Sequence, residues 1–521
     1  MGHGSGDWRS PIEEHYRILF LSLICLTFLI PLYAVVVAPI ISSDGVYYVD
    51  TARVIDQGDW GKISEIWVLN LYPFLIVLFH RFIQDWEAAG RAVSLILGSA
   101  AVVPLFFQSR RSVGTAAALV AIFFYAVHPR LVEYSTDVLR EATFWFFSLF
   151  ALWTSREGMV RGRWPLIMLA ALLTVCATFT RLEGVIIAFV IIAWTVWFVW
   201  VADRQKKKAL FCLLVFLVSS VVFASPVPLT MKAKAGRWET GQVANKLPAL
   251  ILHEDVTKVD PSLMRKAPPL FRSFVETALR HRYAIYVAEV AENALKALGV
   301  VLLPFLAAGF LVRRVGARSH EDVALLFWFG LFFLGSVVYG ARSSYFGTRH
   351  GLTVAMPALM LSGSGFWELE TRIKEGLSRR NVRLPSFLSI RSLLLIMVLL
   401  LLVPQTLLSY RSDKMELKKA GLCLRAEGYQ GKIFAGDGRL YRVGFYGGVK
   451  EFLPLPDGLD FNQTLRLAKE RGAQFFLLDE RTTQFSIEDR RRAEEGPMIE
   501  KIGCPALGSF KEYSLVIYRL L

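Results

Sequence analysis

The chain has 521 residues, 54% of hydrophobic type and 20% charged, with a mean hydropathy of +0.44. Thirty-eight Phe, thirteen Trp and long apolar runs exclude disorder, a secreted disulfide scaffold and a cytosolic enzyme, and specify an integral membrane protein. The net charge of +15 fits basic cytoplasmic loops facing anionic lipid. No aromatic-interleaved basic patch points to nucleic acid. Cys25, Cys176 and Cys212 lie in apolar runs and read as small core residues.

The first run, Ile18 to Ile40, is too long for a signal-peptide core, and no small-residue cleavage site follows it, so it reads as a retained helix. Further runs lie at Arg91–Gln108, Thr115–His128, Val138–Thr154, Trp164–Thr180, Val185–Val201 and Ala209–Leu229. Four more follow at Leu295–Val312, Val323–Tyr339, Leu352–Phe366 and Leu393–Leu408. Ile66–Ile83 is apolar enough to span, but Asn70, Tyr72-Pro73 and His80-Arg81 interrupt it. The positive-inside rule decides its fate. If it does not span and the N-terminus is cytoplasmic, every basic loop falls inside: Arg110-Arg111, Arg156 to Arg163, Arg204 to Lys208, Arg313 to Arg318 and Arg372 to Arg383. If it spans, all of them flip outward. The expectation is therefore about eleven spans in the cytoplasmic (inner) membrane. Ile66–Ile83 is interfacial or re-entrant on the outer face, and the C-terminus is extracytoplasmic.

The tail, residues 411–521, reads as a small α/β domain beyond a membrane domain of 1–410. Lys432–Ala435 and Phe475–Asp479 are short buried strands, Asn462–Arg471 a helix between them and Tyr513–Tyr518 a closing strand. Cys423 and Cys504 both fall in it, bonded or as two buried thiols.

The outer loops hold the titratable candidates. Asp44 follows the first span in Ser42-Ser43-Asp44-Gly45. It reads either as an N-cap for a short helix or as a carboxylate that takes a proton from an acceptor. Asp137 and Glu141 are four apart and share a helix face with Arg140 beside them. They suit either a helix cap with an ion pair or a functional acid at the membrane boundary. Arg181 interrupts two apolar runs, and Arg349-His350 opens the tenth span. These arginines either snorkel to water or grip a phosphate with their planar donors. His253, Glu254 and Asp255 form a weak metal-ligand pattern that reads as solvated loop. No Walker loop, dinucleotide fingerprint or HExxH motif occurs.

In order along the chain, these features resemble the GT-C superfamily of multi-span glycosyltransferases, in its protein-mannosyltransferase and aminoarabinose-transferase-like branch. The resemblance rests on Asp44-Gly45-Val46-Tyr47-Tyr48 with Ala52-Arg53, Gln57-Gly58-Asp59-Trp60, and Leu71-Tyr72-Pro73-Phe74. It continues through Arg91, Arg110-Arg111, the Pro129…Ser135…Asp137…Glu141 loop, Thr180-Arg181-Leu182-Glu183-Gly184 and Arg349-His350…Pro357, covering roughly residues 18–410. It implies a mainly α, polytopic GT-C fold with interfacial helices. The implied activity is inverting transfer of a sugar from a polyprenyl-phosphate donor to a lipid, glycan or protein acceptor at the outer face. On the same basis Asp44 is the first-loop carboxylate that orients or deprotonates the acceptor. Asp137, with Glu141 as rival, is the second-loop acid, and Arg181 and Arg349 with His350 steady the leaving phosphate, where negative charge develops.

Two features depart from the family pattern. Gly45 stands where a second acid often follows the first, and Asn70-Leu71-Tyr72-Pro73 lacks the Lys of the aminoarabinose branch. Donor and acceptor therefore stay open, as does a divalent metal, for which no ligand cluster stands out. Two other classes compete: a transporter or flippase of lipid-linked saccharides, and a structural envelope protein whose outer domain recruits a partner. Transporters place charges near the bilayer midplane, often in symmetric halves. Here the polar candidates sit at one face and no internal repeat is visible, which favours the enzyme.

Overall fold

The computed structural model describes residues 9–66, 70–201, 206–236, 268–315, 320–343, 346–381, 385, 389–408, 411, 414–455, 459–479, 499–502 and 515–521. The chain divides into two compact units. One comprises Met1–Val35 and Thr51–Leu408, the other Val36–Asp50 and Ser409–Leu521. His253, Glu254, Asp255 and Cys504 lie outside the described residues.

Helix α1 (Arg9–Val37) is followed by three shorter ones, α2 (Ser43–Gln57), α3 (Trp60–Glu65) and α4 (Leu71–Ile83). Next come α5 (Trp86–Ala100), α6 (Val102–Val113), α7 (Thr115–Val127), α8 (Pro129–Thr136) and α9 (Glu141–Arg161). They lead to α10 (Trp164–Thr180), α11 (Gly184–Val201), α12 (Lys206–Ala224) and α13 (Pro226–Ala235). After residues 237–267 the chain resumes with α14 (Pro269–Arg280), α15 (Arg282–Leu298), α16 (Leu303–Val315), α17 (His320–Ser343), α18 (Thr348–Arg379) and α19 (Ile390–Leu407).

The eleven apolar runs all fall on helical stretches. Among the described residues, five are long and apolar enough to cross a membrane: His15–Val37, Trp86–Val113, Lys206–Ala235, Val323–Ser343 and Ile390–Leu407. Two bent pairs, at α7–α8 (59°) and Arg282–Leu298 with Val300–Leu311 (85°), raise this to seven. Trp164–Thr180 and Gly184–Trp200 are apolar but shorter.

Within Ile66–Ile83 the described helix is α4, with 13 residues. At 1.5 Å per residue that is about 20 Å, short of a hydrocarbon core of about 30 Å. Asn70 starts it, its side chain accepting from Tyr72 N at 3.0 Å, and Gln84 ends it in the left-handed region at φ 59°. Tyr72, Pro73 and Ile76 are buried, while Phe74, Leu78 and Phe82, spaced four apart, are exposed. The interruptions seen in the sequence are thus a cap and the polar end of an amphipathic helix.

Small residues let the helices of this unit approach closely. A Cβ at Gly365 of α18 would lie 1.7 Å from the Phe305 carbonyl of α16, and one at Gly363 would lie 2.2 Å from the Ala117 carbonyl of α7. Gly309 of α16 faces the Leu361 carbonyl in the same way, at 2.2 Å. Such contacts replace the hydrophobic effect as the source of helix association in lipid.

The second unit carries a sheet of β1 (Ile433–Gly436), β2 (Glu451–Pro454), β3 (Phe475–Asp479), β4 (Ile499–Ile502) and β5 (Leu515–Leu520). Its order is β2-β1-β3-β5-β4, with β1 parallel to β2 and β3, and β5 antiparallel to β3 and β4. Helices α20 (Met415–Ala426), α21 (Tyr441–Gly447) and α22 (Phe461–Glu470) accompany it. A core of Phe461, Leu465, Ala468, Phe476, Leu478 and Tyr518 joins α22 to the sheet. Asp460 starts α22 with a capping box completed by Gln463. Cys423 is disulfide-bonded. Strands β2 and β4, four residues each, are too short to announce themselves by alternation.

Gly365→Ala is expected to lower the thermal unfolding midpoint in detergent through overpacking of about 1–3 kcal/mol. Gly376→Ala, on the same helix with nothing within 4 Å of the new Cβ, is expected to leave it unchanged or raise it. Equal midpoints for the two variants would contradict the packing account.

Candidate active site

The second unit holds Asp44. Ser42 caps α2: its hydroxyl accepts from Gly45 N at 3.0 Å and its carbonyl from Val46 N at 3.1 Å. The capping role is therefore Ser42's, and Asp44 sits in the first turn, where negative charge suits the helix dipole. Ile41, Val46 and Val49 are buried, and Asp44 is half-buried.

The first unit holds the other five candidates. Its second loop is built on His128, whose Nδ1 accepts from Leu131 N at 3.4 Å and starts α8. Asp137 ends that helix, its backbone N–H donating to Glu133 O at 3.2 Å and its carboxylate accepting from Val138 N at 2.8 Å. It is buried. Helix α5 fixes this loop from below. The Tyr72 hydroxyl donates to Gly90 O at 2.9 Å and meets Ser94 Oγ at 2.7 Å, and Ser94 Oγ donates to Leu139 O at 3.0 Å. Gly90 leaves no room for a Cβ beside Val138, nor Gly98 beside Ser135.

Glu141 is the first residue of α9 and Arg181 ends α10. They meet at 2.6 Å with side chains 2% and 3% exposed. The Glu141 Oε2 atom is buried and has no hydrogen-bond partner among the described residues. The other terminal nitrogen of Arg181 reaches Glu183 at 2.6 Å, and the guanidinium lies 5.8 Å from the Phe144 ring centre. Glu183 in turn lies 4.0 Å from His350 Nε2. Arg140, Arg181, Glu183 and Arg349 all act electrostatically on His350, whose ring packs between Tyr339 and Phe346. Arg349 also acts on buried Tyr134. Three guanidiniums and the Glu183 carboxylate thus act on one imidazole.

The structure brings Glu141, Arg181 and His350 into one charged cluster through Glu183. It holds Asp137 in the adjacent turn, and Asp44 belongs to the other unit. The linking role of Glu183 was not read from the sequence, although its Arg-x-Glu spacing in a two-residue turn was a usable signal. The Tyr72–Ser94–Leu139 network left no signal, because hydroxyl partners 18 to 45 residues apart have no pattern. Among the described residues no group of three or more His, Cys, Asp or Glu is placed to hold a metal ion.

Residues 70–227 match the sequence family described as dolichyl-phosphate-mannose-protein mannosyltransferase. The structure is similar to ArnT from Cupriavidus metallidurans bound to undecaprenyl phosphate, with a TM-score of 0.59 at 12% identity over 96% of this chain and 97% of that one. It is also similar to the oligosaccharyltransferase AglB from Archaeoglobus fulgidus in complex with an inhibitory peptide and a dolichol-phosphate. There the TM-score is 0.57 at 13% identity over 89% and 70% of the two chains. The chain shares the GT-C fold with these proteins. No curated protein matches it by sequence. The charged cluster sits where α9, α11 and α18 begin and α10 ends.

Glu183 keeps its charge. Desolvation raises its carboxyl, but the Arg181 guanidinium beside it, helped by His350 and Arg140, more than offsets this and holds it well below the usual carboxylate range. A depressed carboxyl stabilises the fold above the unfolded value of about 4.3, and that stability is lost as pH falls below it. The stability gap between wild type and Glu183→Gln is therefore expected to be constant from about pH 8 to 5.5 and to narrow below about 4.3. Closure of the gap near neutral pH would contradict the pairing. Glu141→Ala, which strips a buried cation of one partner, is expected to cost about 3–5 kcal/mol in thermal unfolding. Glu141→Gln, which retains an acceptor, is expected to cost less. Wild-type stability in Glu141→Ala would show that the ion pair contributes nothing.

Proposed function

We propose that the protein transfers a sugar from a polyprenyl-phosphate donor to a lipid, glycan or protein acceptor, with inversion, at the outer face of the cytoplasmic membrane. The N-terminus is then cytoplasmic and the C-terminal domain extracytoplasmic. The observation that carries this reading is the cluster of Arg140, Arg181, Arg349 and His350 at one end of the helices, ordered by Glu141 and Glu183. Its net positive charge suits a lipid phosphate. Similarity in fold to one protein bound to undecaprenyl phosphate and another to a dolichol-phosphate supports the same ligand class.

In the proposed reaction the acceptor attacks the anomeric carbon from the face opposite the phosphate. The carbon–oxygen bond to phosphate breaks as the new glycosidic bond forms. Asp44 takes the acceptor's proton, and Asp137 orients the acceptor from the second loop. Negative charge grows on the departing phosphate oxygen, and Arg349, Arg181 and His350 meet it with donors already in place. Glu141 acts through Arg181: a guanidinium bound to two carboxylates has its plane fixed before the ligand arrives, so little reorganisation accompanies charge transfer.

The test compares envelope glycolipids and glycoproteins by mass spectrometry in a deletion strain complemented with the native chain or with variants. Asp44→Asn and Asp137→Asn are expected to express normally and to reduce one sugar-bearing product by about 10²–10⁴-fold. Arg349→Ala is expected to weaken binding of undecaprenyl phosphate to the purified chain about ten- to a hundredfold, the worth of one hydrogen bond to a charged group. Full restoration of the profile by Asp44→Asn would favour a transporter of lipid-linked saccharides.

A further inference from the structure

The segment Val36–Asp50, which carries Asp44, belongs to the same compact unit as the tail, although more than 350 residues separate them in the chain. Hydrogen bonds join the two among the described residues. Lys418 Nζ of α20 donates to Pro39 O at 2.8 Å, Ile41 N donates to the Tyr446 hydroxyl of α21 at 3.2 Å, and the Tyr441 hydroxyl donates to Asp50 Oδ2 at 2.7 Å. They bracket Asp44 on both sides. Pro39 and Ile41 lie in the non-helical stretch between α1 and α2. Their backbone groups have no helical ladder to satisfy them and depend on such outside partners.

The anchors themselves are stiff. The Lys418 ammonium lies 4.7 Å from the Tyr446 ring centre, so two of the three support each other. Helices α20 and α21 pack so closely that a Cβ at Gly421 would lie 2.6 Å from Tyr446 Cβ and 2.7 Å from Val443 O. Helix α21 is tied to the interior strand β1 by a turn in which Asp437 accepts from Arg439 N at 2.8 Å.

We propose that the tail domain positions the reactive carboxylate, with Lys418, Tyr441 and Tyr446 as positioning residues that act through Asp44. This rests on the reading of Asp44 as the group that takes the acceptor's proton. A base misplaced by about 1 Å loses about a hundredfold in rate, and a first-turn residue preceded by irregular backbone needs that backbone held. A mere tether would need one contact, whereas three contacts on both sides of Asp44 fix its helix start in place and direction.

The test uses the full chain in nanodiscs for hydrogen–deuterium exchange and the complemented strain for product. In the combined variant Lys418→Met with Tyr446→Phe, amides of residues 40–49 are expected to exchange about tenfold faster, with residues 141–150 unchanged. Product is expected to fall about ten- to a hundredfold. Lys418→Arg alone, which keeps the donor, leaves both at wild-type values, and Tyr441→Phe alone gives a smaller loss in the same direction. Added to Asp44→Asn, the combined variant lowers product no further. Wild-type product from the combined variant, or a loss that adds in full to that of Asp44→Asn, would overturn the proposal. Full product from Asp44→Asn alone would sink the underlying reading of Asp44 instead, and the faster exchange of residues 40–49 would still be measured.

Discussion

A guanidinium buried between two carboxylates governs the membrane unit. Arg181 is almost wholly removed from solvent, where an unpaired charge would cost several kcal/mol even after relaxation. Glu141 and Glu183 remove most of that cost, and each comes from a different side: Glu141 opens α9, and Glu183 lies in the turn before α11. The ends of three helices are thereby held at fixed separation by one side chain. His350, at the start of α18, joins through Glu183 and brings in a fourth.

Close helix packing accompanies this cluster in the same unit. Glycines in α16 and α18 bring backbones together without side chains between them, and Gly90 and Gly98 of α5 do the same beneath the second loop. Hydroxyls then lock the loop over α5, from Tyr72 through Ser94 to the backbone of Leu139. A site for a transferring group benefits from such construction, because donors fixed in advance stabilise developing charge without moving. Within the second unit, the tail holds the segment that carries Asp44.

Much of the fold was legible because the bilayer imposes simple length and charge rules. Apolar runs located the helices, and the bias of Arg and Lys between loops withheld a crossing from Ile66–Ile83, where the structure has the 13-residue α4. The central tail strands β1 and β3 showed as continuous apolar runs, whereas β2 and β4 did not. For the site, the residue types were legible and their pairings were not. Arg181 and Glu141 each looked like a candidate for chemistry, yet 40 residues separate two groups that bind each other. Only the packing of α9 against α10 reveals that. Likewise, Asp44 reads as a cap by type, and the bond from Gly45 N to the Ser42 hydroxyl gives that role to Ser42.

The most direct measurement is an electron cryomicroscopy structure of the full chain in nanodiscs with undecaprenyl phosphate. The proposed function requires phosphate density within hydrogen-bonding distance, about 2.7–2.9 Å for charged pairs, of Arg349 and at least one of Arg181 and His350, with the Arg181–Glu141 pair intact. Phosphate bound instead at the opposite end of α9, where Glu157 pairs with Arg111 of α6, would contradict it, as would an occupied site in which Arg181 and Arg349 make no contact with the ligand.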